Sequence, residues 1–142
     1  MARDIYLESR VLAADPVELI HILFEHGLMQ IKLARTALAE KNIAGRAKAV
    51  SKALAVVGEL ESSLDHKAGG SLSQNLGKLY QYMRKRLCDG NLKSSDAALA
   101  EVESLLQTLD DGWNAMQRAT SVPAALPYAQ AMVENLAHSW SA

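Results

Sequence analysis

The chain has 142 residues, 49% of them hydrophobic and only 5% aromatic. This composition suits a single domain over residues 1–142 with an interior of Leu, Ala, Val and Ile. Its 15 basic and 16 acidic side chains leave a net charge of -1, which argues against nucleic acid because phosphate binding needs a concentrated basic patch. No window reaches the roughly 20 apolar residues of a membrane span, so we expect no direct insertion into a membrane.

Residues 1–14 are predicted to form an N-terminal arm ahead of the helices. The arm carries apolar side chains, Tyr6 and Val11 among them, between charged ones. Such a segment usually docks on its own domain or on a partner. Its start, MARDIYLESR, lacks the apolar core of a signal peptide. The chain also has a single cysteine, which suits a reducing compartment. We therefore expect a cytoplasmic protein.

The first helix is predicted to run from Asp15-Pro16 to about residue 40. Asp15 can cap it, Pro16 suits the first helical position, and Glu18 completes a capping box. Its apolar surface is wider than the seam of a simple bundle requires, because Ile22 and Met29 fall beside the main stripe.

A second helix is predicted over about residues 44–65, after a short turn. Many of its positions hold small residues, which let a neighbouring helix or a bound peptide approach closely. These are Ala44, Ala47, Ala49, Ala53, Ala55 and Gly58.

The third helix, over about residues 71–91, has the most regular pattern. Gly69-Gly70 breaks the chain ahead of it, and Ser71 offers a capping hydroxyl. Gly90-Asn91 is typical of a helix end at which one residue takes a left-handed conformation. The apolar stripe between these signals recurs at helical spacing and consists of Leu72, Leu76, Leu79, Met83 and Leu87.

Two tyrosines of this helix are predicted to have different surroundings. At about 100° per residue, Tyr80 and Tyr82 point roughly 200° apart, so they cannot both lie on the apolar stripe. Tyr80 flanks the stripe and can pack on the core. Tyr82 is therefore expected to face outward, on a surface that also carries basic residues such as Arg84 and Arg86.

The sequence Ser94-Ser95-Asp96 predicts the start of a fourth helix, which ends near residue 116. Its acidic residues are expected to balance the basic side of the third helix. They are Glu101, Glu103, Asp110 and Asp111. Residues 117–142 form a C-terminal tail, in which a short fifth helix is predicted at 128–140. The fold class is thus all-α: an antiparallel four-helix bundle over 15–116, with an N-terminal arm and a short C-terminal fifth helix.

No catalytic centre is predicted, and neither a metal nor another cofactor. Glu18 and His21 have the Glu-x-x-His spacing of di-iron bundles, but the chain has no second copy of it. His66 is similar to the histidine of phosphotransfer bundles, but it falls in a glycine-rich turn. The serines and Cys88 have no histidine base at a recognisable spacing, and no phosphate-binding glycine motif occurs.

Two groups of residues match the pattern of one known family in both identity and spacing. The first is Leu64-Asp65, Gly69-Gly70, Asn75-Leu76, Leu79-Tyr80, Tyr82-Met83, Arg86-Leu87 and Asn91. The second is Tyr6, Val11, Ala14-Asp15-Pro16, Glu18-Leu19-Ile20 and Leu23-Phe24. Together they resemble the FliS family of flagellar export chaperones, over most of the chain.

The resemblance implies a cytoplasmic chaperone of flagellin that is not an enzyme. Such a bundle binds the disordered C-terminal segment of flagellin in hydrophobic grooves and prevents premature polymerisation. It also helps to present flagellin to gate components of the flagellar type III export apparatus. The N-terminal arm would cover part of the binding surface when flagellin is absent. We expect five residues to bind flagellin or to cap the groove: Tyr6, Val11, Tyr82, Met83 and Arg86.

Two other interpretations stay open at this point. A non-catalytic helical adaptor for another export partner would use the tail with Trp140. A phosphotransfer module would use His66. A homodimer is also open, because bundles of this kind can exchange helices between copies.

Overall fold

The computed structural model of the chain describes residues 16–64 and 66–118, together with Leu7 and Ser9. In these ranges the backbone forms four helices and no strand, which confirms the all-α prediction. The helices are α1 (Pro16–Ala39), α2 (Ile43–Ser62), α3 (His66–Leu92) and α4 (Asp96–Arg118). None of these four is long and apolar enough to span a bilayer. Tyr6, Val11, Asp15 and the fifth helix predicted at 128–140 lie outside the described residues.

The four helices form a closed bundle in which each helix packs on two others. Their connections are three residues long, too short to return along a helix about 30 Å in length, so consecutive helices run antiparallel. Each consecutive pair is in contact, and α4 also packs on α1. Side chains from all four helices meet in one core, and the largest fully buried ones include Phe24, Leu60, Tyr80 and Leu106.

The wide apolar surface predicted for α1 is largely used inside the bundle. Ile22, beside the main stripe, is only 2% exposed, because α1 packs on α2 and α4 at once. Gly27 lies at the closest approach: a Cβ there would be 3.0 Å from Val56 Cγ1 and 3.3 Å from Leu106 Cδ1. The Ile22 side of α1 therefore serves helix contacts, whereas Met29 is only half-buried and lines an open groove together with Leu33.

Helix α4 begins with the cap that the sequence predicts, and α2 begins with a cap that was not predicted. The Ser95 hydroxyl accepts a hydrogen bond from the Ala98 amide at 3.2 Å, which confirms the predicted cap of α4. At the start of α2, Asn42 Oδ1 accepts from the Gly45 amide at 2.9 Å. Both caps satisfy amides that a helix start leaves without an intrahelical acceptor.

The third helix ends one residue beyond the predicted Asn91, but the prediction of a left-handed residue at Gly90-Asn91 is wrong. Helix α3 continues to Leu92, and the positive φ belongs to Ser94, at 52°. Gly90 serves close packing instead, since a Cβ there would be 2.5 Å from Leu99 Cδ2. Asn91 Oδ1 accepts a hydrogen bond from Arg46 Nε at 3.1 Å, which ties this end of α3 to α2.

The start of α3 also differs from the prediction. The backbone of residues 66–69 is helical rather than a loop, and the break falls at Gly70, with φ 57° and ψ -133°. Only glycine adopts this conformation without strain. Leu72 was predicted on the buried stripe but is 50% exposed, so that part of the prediction is wrong.

Candidate protein-binding face

Tyr82 marks the outer surface of α3. Its exposed fraction is 45%, whereas that of Tyr80 is 1%. The prediction that the two rings have opposite surroundings is therefore confirmed. An exposed tyrosine can bury its ring against a partner while its hydroxyl keeps a polar contact.

A polar cluster of Tyr82, Arg86 and Glu101 ties α3 to α4. Glu101 Oε1 accepts hydrogen bonds from the Tyr82 hydroxyl at 2.6 Å and from Arg86 Nε at 2.8 Å. The hydrogen bond from Tyr82, together with Arg86, lowers the pKa of Glu101. The same carboxylate raises the pKa of Tyr82. At neutral pH, Glu101 is therefore ionised and the Tyr82 hydroxyl keeps the proton that it donates. The cluster orients the Tyr82 ring at the edge of the surface described next.

Apolar side chains that are only partly buried extend from this cluster toward the start of α3. Because Tyr82 and Arg86 point to α4, the helical period places Leu72, Leu76 and Leu79 on or near the same side of α3. Glu101 of α4 points to α3 in turn. The helical period therefore places Leu105, Leu109 and Met116, which are partly buried, on the side of α4 next to α3. We call this surface the α3/α4 face, and its members are Leu72, Leu76, Leu79, Tyr82, Leu105, Leu109, Gly112 and Met116.

The length of the α3/α4 face suits a bound helix of about three turns. From Leu72 to Tyr82 is ten residues, or about 15 Å along α3. Gly112 is exposed, and a Cβ there would meet nothing within 4 Å, so the backbone of α4 is open to a partner. An apolar surface of this length can bind the apolar side of an amphipathic helix through side chains spaced three and four residues apart.

The predicted site residues fall into three groups. Tyr82 and Arg86 lie together at the edge of the α3/α4 face. Met83 is 0% exposed, so in this structure it supports the face from the core. Tyr6 and Val11 lie outside the described residues, and their role stays a prediction.

The contribution of α4 was missed by sequence reasoning. No apolar residue of α4 was predicted as a binding residue, although Leu105, Leu109 and Met116 lie at helical spacing beside Leu106, which is fully buried. Their helical positions lie to one side of Leu106, and all three are only partly buried. The signal in the sequence was that the apolar residues of α4 cover more of its circumference than contact with a single neighbouring helix requires.

Only some of the acidic residues of α4 have the predicted partners on α3. Glu101 does pair with Arg86 of α3. Glu103, however, contacts Arg35 of α1 at 3.1 Å, beside the bidentate contact of Arg35 with Asp96. These acids therefore link α4 to α1 as well as to α3.

His21 has no geometry for a metal site. Its Nδ1 lies 3.2 Å from Asp110 Oδ1 and its Nε2 lies 3.3 Å from Glu25 Oε2. In the part of the chain that the structure describes, no group of three His, Cys, Asp or Glu side chains is arranged to hold a metal ion. The side chain of His66 is not among those described.

Replacing Asp110 with Asn should change how stability depends on pH. Burial raises the pKa of Asp110 above its usual 3.8, with smaller effects in the same direction from Asp111 and Glu25, while His21 lowers it. A carboxyl whose pKa is raised on folding stabilises the fold most below its unfolded pKa, and this contribution is lost as pH rises through the folded pKa. We therefore expect the free energy of unfolding of the wild type, relative to Asp110→Asn, to fall as the pH rises through and above the usual pKa of an aspartate. Denaturant titrations at several pH values would measure it, and a constant difference would contradict it.

Comparison with known proteins points to one family. The family described as "Flagellar protein FliS" matches residues 1–120. The flagellar secretion chaperone FliSB of Pseudomonas aeruginosa is 34% identical over 112 residues, which are 79% of this chain and 89% of that protein. The flagellar secretion chaperone FliS of Salmonella typhimurium is 34% identical over 111 residues, 78% of this chain and 82% of that protein. For FliS of Bacillus subtilis the identity is 32% over 108 residues, with 76% and 80% covered.

Proposed function

Because the chain belongs to the FliS family of flagellar secretion chaperones, we propose that it binds the disordered C-terminal segment of flagellin. By holding that segment, it prevents flagellin from polymerising in the cytoplasm. It also helps to deliver flagellin to gate components of the flagellar type III export apparatus. The chain acts by binding alone, without catalysis and without a cofactor.

The observation that carries this proposal is the α3/α4 face. A disordered segment loses conformational entropy when it folds on a partner, so it needs a sizeable apolar surface in return. The α3/α4 face offers such a surface in the form of leucine and methionine side chains that the bundle buries only in part. A flagellin segment that becomes helical there would cover these side chains completely.

The polar cluster at the edge of the face would set the position of the bound helix. Tyr82 presents its ring to the partner while Glu101 holds its hydroxyl. Arg86 shares that carboxylate and also contacts Asp89, so it would keep the Tyr82 ring in position at the edge of the bound helix. Met83 would contribute through the packing of α3 beneath the face.

The N-terminal arm is proposed to regulate access to the binding surface. Tyr6 and Val11 would occupy part of it in the absence of flagellin and leave when flagellin binds. The affinity for flagellin would then reflect a competition between the arm and the client, which is a shift between two populations. Deletion of residues 1–12 should therefore change the affinity while the bundle stays folded.

Calorimetric titration of the full chain with the C-terminal segment of flagellin from the same source tests the proposal. We expect binding with a clearly negative change in heat capacity, because apolar surface is buried. Circular dichroism should show helix forming in the segment. If neither the full chain nor a variant without residues 1–12 and 123–142 binds, flagellin is not the client. The chain would then be an adaptor for another export partner.

A further inference from the structure

The two most exposed large apolar side chains of the described residues lie at the same end of the bundle. Leu92 is 82% exposed at the end of α3, and Ile43 is 67% exposed at the start of α2. The α1–α2 and α3–α4 connections meet at this end, because consecutive helices run antiparallel. We call it the loop end. It lies about 30 Å along α3 from Leu72, and therefore from the start of the α3/α4 face.

Hydrogen bonds hold the two connections together at the loop end. Arg46 Nε donates to Asn91 Oδ1, and Arg46 Nη1 donates to Ser94 Oγ, each at 3.1 Å. Backbone hydrogen bonds close both turns. The fold therefore fixes the positions of Ile43 and Leu92 relative to each other.

Most of the charged side chains at the loop end are basic. The basic ones are Arg35, Lys41, Arg46, Lys48, Arg86 and Lys93, and the acidic ones are Glu40, Asp89 and Asp96. Arg35 binds Asp96 through two contacts, of 2.8 and 3.0 Å. Asp89 lies 3.6 Å from Arg86 and 3.8 Å from Lys93. Asp89 and Asp96 are therefore already matched by basic side chains of the same chain.

The remaining positive charge is open to a partner. Arg46 donates its hydrogen bonds to neutral oxygens, so these contacts do not compensate its charge. Lys41 and Lys48 are exposed. Glu40 offsets only one of these three charges, so the loop end stays basic although the whole chain has a net charge of -1. An anionic surface is therefore attracted to this end of the bundle.

Ile43 and Leu92 project from the loop end. Neither lines the groove between α2 and α3 or the two grooves beside α1. A rigid protein partner would need a separate pocket for each projecting side chain. The headgroup layer of a membrane deforms around such side chains and, where its lipids are anionic, attracts Lys and Arg as well. The combination of shape and charge thus favours a lipid surface.

We propose that the loop end docks peripherally on an anionic lipid bilayer. Ile43 and Leu92 enter the headgroup region, while Lys41, Arg46 and Lys93 contact lipid phosphates. The four helices stay outside the hydrocarbon. This docking goes beyond flagellin binding and does not depend on it, because the α3/α4 face begins at the other end of α3. A segment bound there stays accessible while the chain is docked.

The docking is weak and depends on salt. Each Lys or Arg near an anionic surface adds a modest attraction, which salt screens. Two aliphatic side chains bury less apolar surface than a single acyl chain, and even that chain gives only reversible membrane binding. We expect half of the protein to be bound at on the order of 1 mM accessible lipid.

Vesicle flotation of the full chain tests the proposal. One set of vesicles is phosphatidylcholine with about 40% phosphatidylglycerol, and the other is phosphatidylcholine alone. The chain should bind the anionic vesicles, with at least roughly fivefold less bound when salt is raised to about 0.5 M. It should bind the neutral vesicles far less. Equal binding to both sets, or no binding to the anionic set, would overturn the proposal.

Substitution of the two projecting side chains tests the position of the contact. Leu92→Glu and Ile43→Glu should each lower the partition onto anionic vesicles at least about tenfold, because a carboxylate then faces the lipid phosphates. Leu72→Glu is the matched control, since Leu72 is also exposed but lies at the other end of α3. It should bind vesicles like the wild type. Equal losses for Leu72→Glu and Leu92→Glu would show that lipid does not contact the loop end.

Removal of positive charge tests whether the contact depends on local or on net charge. Lys41→Gln combined with Lys93→Gln should lower the partition about tenfold and weaken its salt dependence. Lys32→Gln combined with Lys78→Gln removes the same charge from exposed positions away from the loop end. This control should change the partition less than about twofold. Similar losses for the two pairs would contradict docking through the loop end.

The single cysteine reports on the docked state. Cys88 is exposed one turn before Leu92 on α3. An environment-sensitive dye on Cys88 should shift its emission to shorter wavelengths with anionic vesicles, and this shift should be absent in Leu92→Glu. A dye that responds equally in both chains would contradict the proposed contact.

Leu92→Glu also separates this proposal from flagellin binding and from a protein partner. It should lose vesicle binding but keep its affinity for the flagellin segment, so each proposal can fail without the other. If Leu92→Glu keeps vesicle binding yet abolishes flagellin secretion in cells, the loop end contacts a protein of the export apparatus. The lipid proposal is then wrong.

Discussion

Leu72→Glu should weaken binding of the C-terminal flagellin segment by at least roughly thirtyfold, or about 2 kcal/mol. Leu72 is 50% exposed in the free chain, so its replacement removes little of the core. In the complex the new carboxylate would be buried among leucine side chains, where an unpaired charge is costly. Calorimetric titration with the flagellin segment would measure the loss.

Leu92→Glu is the matched control for this prediction. The same substitution is made on the same helix, at a leucine that is 82% exposed and lies at the far end of α3 from Leu72. Both variants should keep the wild-type helix content and melting temperature, and Leu92→Glu should keep the wild-type affinity. Should Leu72→Glu bind as tightly as Leu92→Glu, the segment does not occupy the α3/α4 face.

Gly27→Leu should destabilise the bundle by roughly 3 kcal/mol or more. Gly27 lies where α1 meets α2 and α4, and even a Cβ would be 3.0 Å from Val56 Cγ1 and 3.3 Å from Leu106 Cδ1. A leucine side chain can fit only if two or three helices move apart. The resulting loss of core contacts outweighs the gain in helix propensity, which is about 1 kcal/mol. Urea titration followed by circular dichroism would give the difference in free energy of unfolding.

Gly58→Leu provides the comparison, because the same substitution is made at a helical glycine with open space around it. It should leave stability unchanged or raise it by up to about 1 kcal/mol, through helix propensity alone. Similar losses for both variants would mean that α1 does not pack as closely at Gly27 as the structure indicates.

The pattern along single helices predicted much of α3 and α4. The angular separation of Tyr80 and Tyr82 was sufficient to distinguish a buried ring from an exposed one. The hydroxyl of Ser95 marked the start of α4. These features depend on residues within one or two turns, so the sequence contains all the information needed to predict them.

The errors occurred where a second helix decides the outcome. Gly90-Asn91 has the composition of a helix end, yet Gly90 is needed because Leu99 of α4 lies against it. An aspartate such as Asp110 is expected to lie in solvent, yet this side chain lies against His21 of α1 and is only 6% exposed. Local composition does not show which neighbour will approach a residue or how closely.

The sequence by itself determined that this chain is an all-α bundle, which residue caps the start of α4, and which family it resembles. Helical periodicity and capping are local properties, and the spacing of the family residues is read directly from the chain. Only the tertiary structure decided that Leu105, Leu109 and Met116 are partly exposed while Leu106 is buried. A side chain on the apolar side of a helix is buried only if a neighbouring helix lies over it, and the positions of the neighbours depend on all four helices at once.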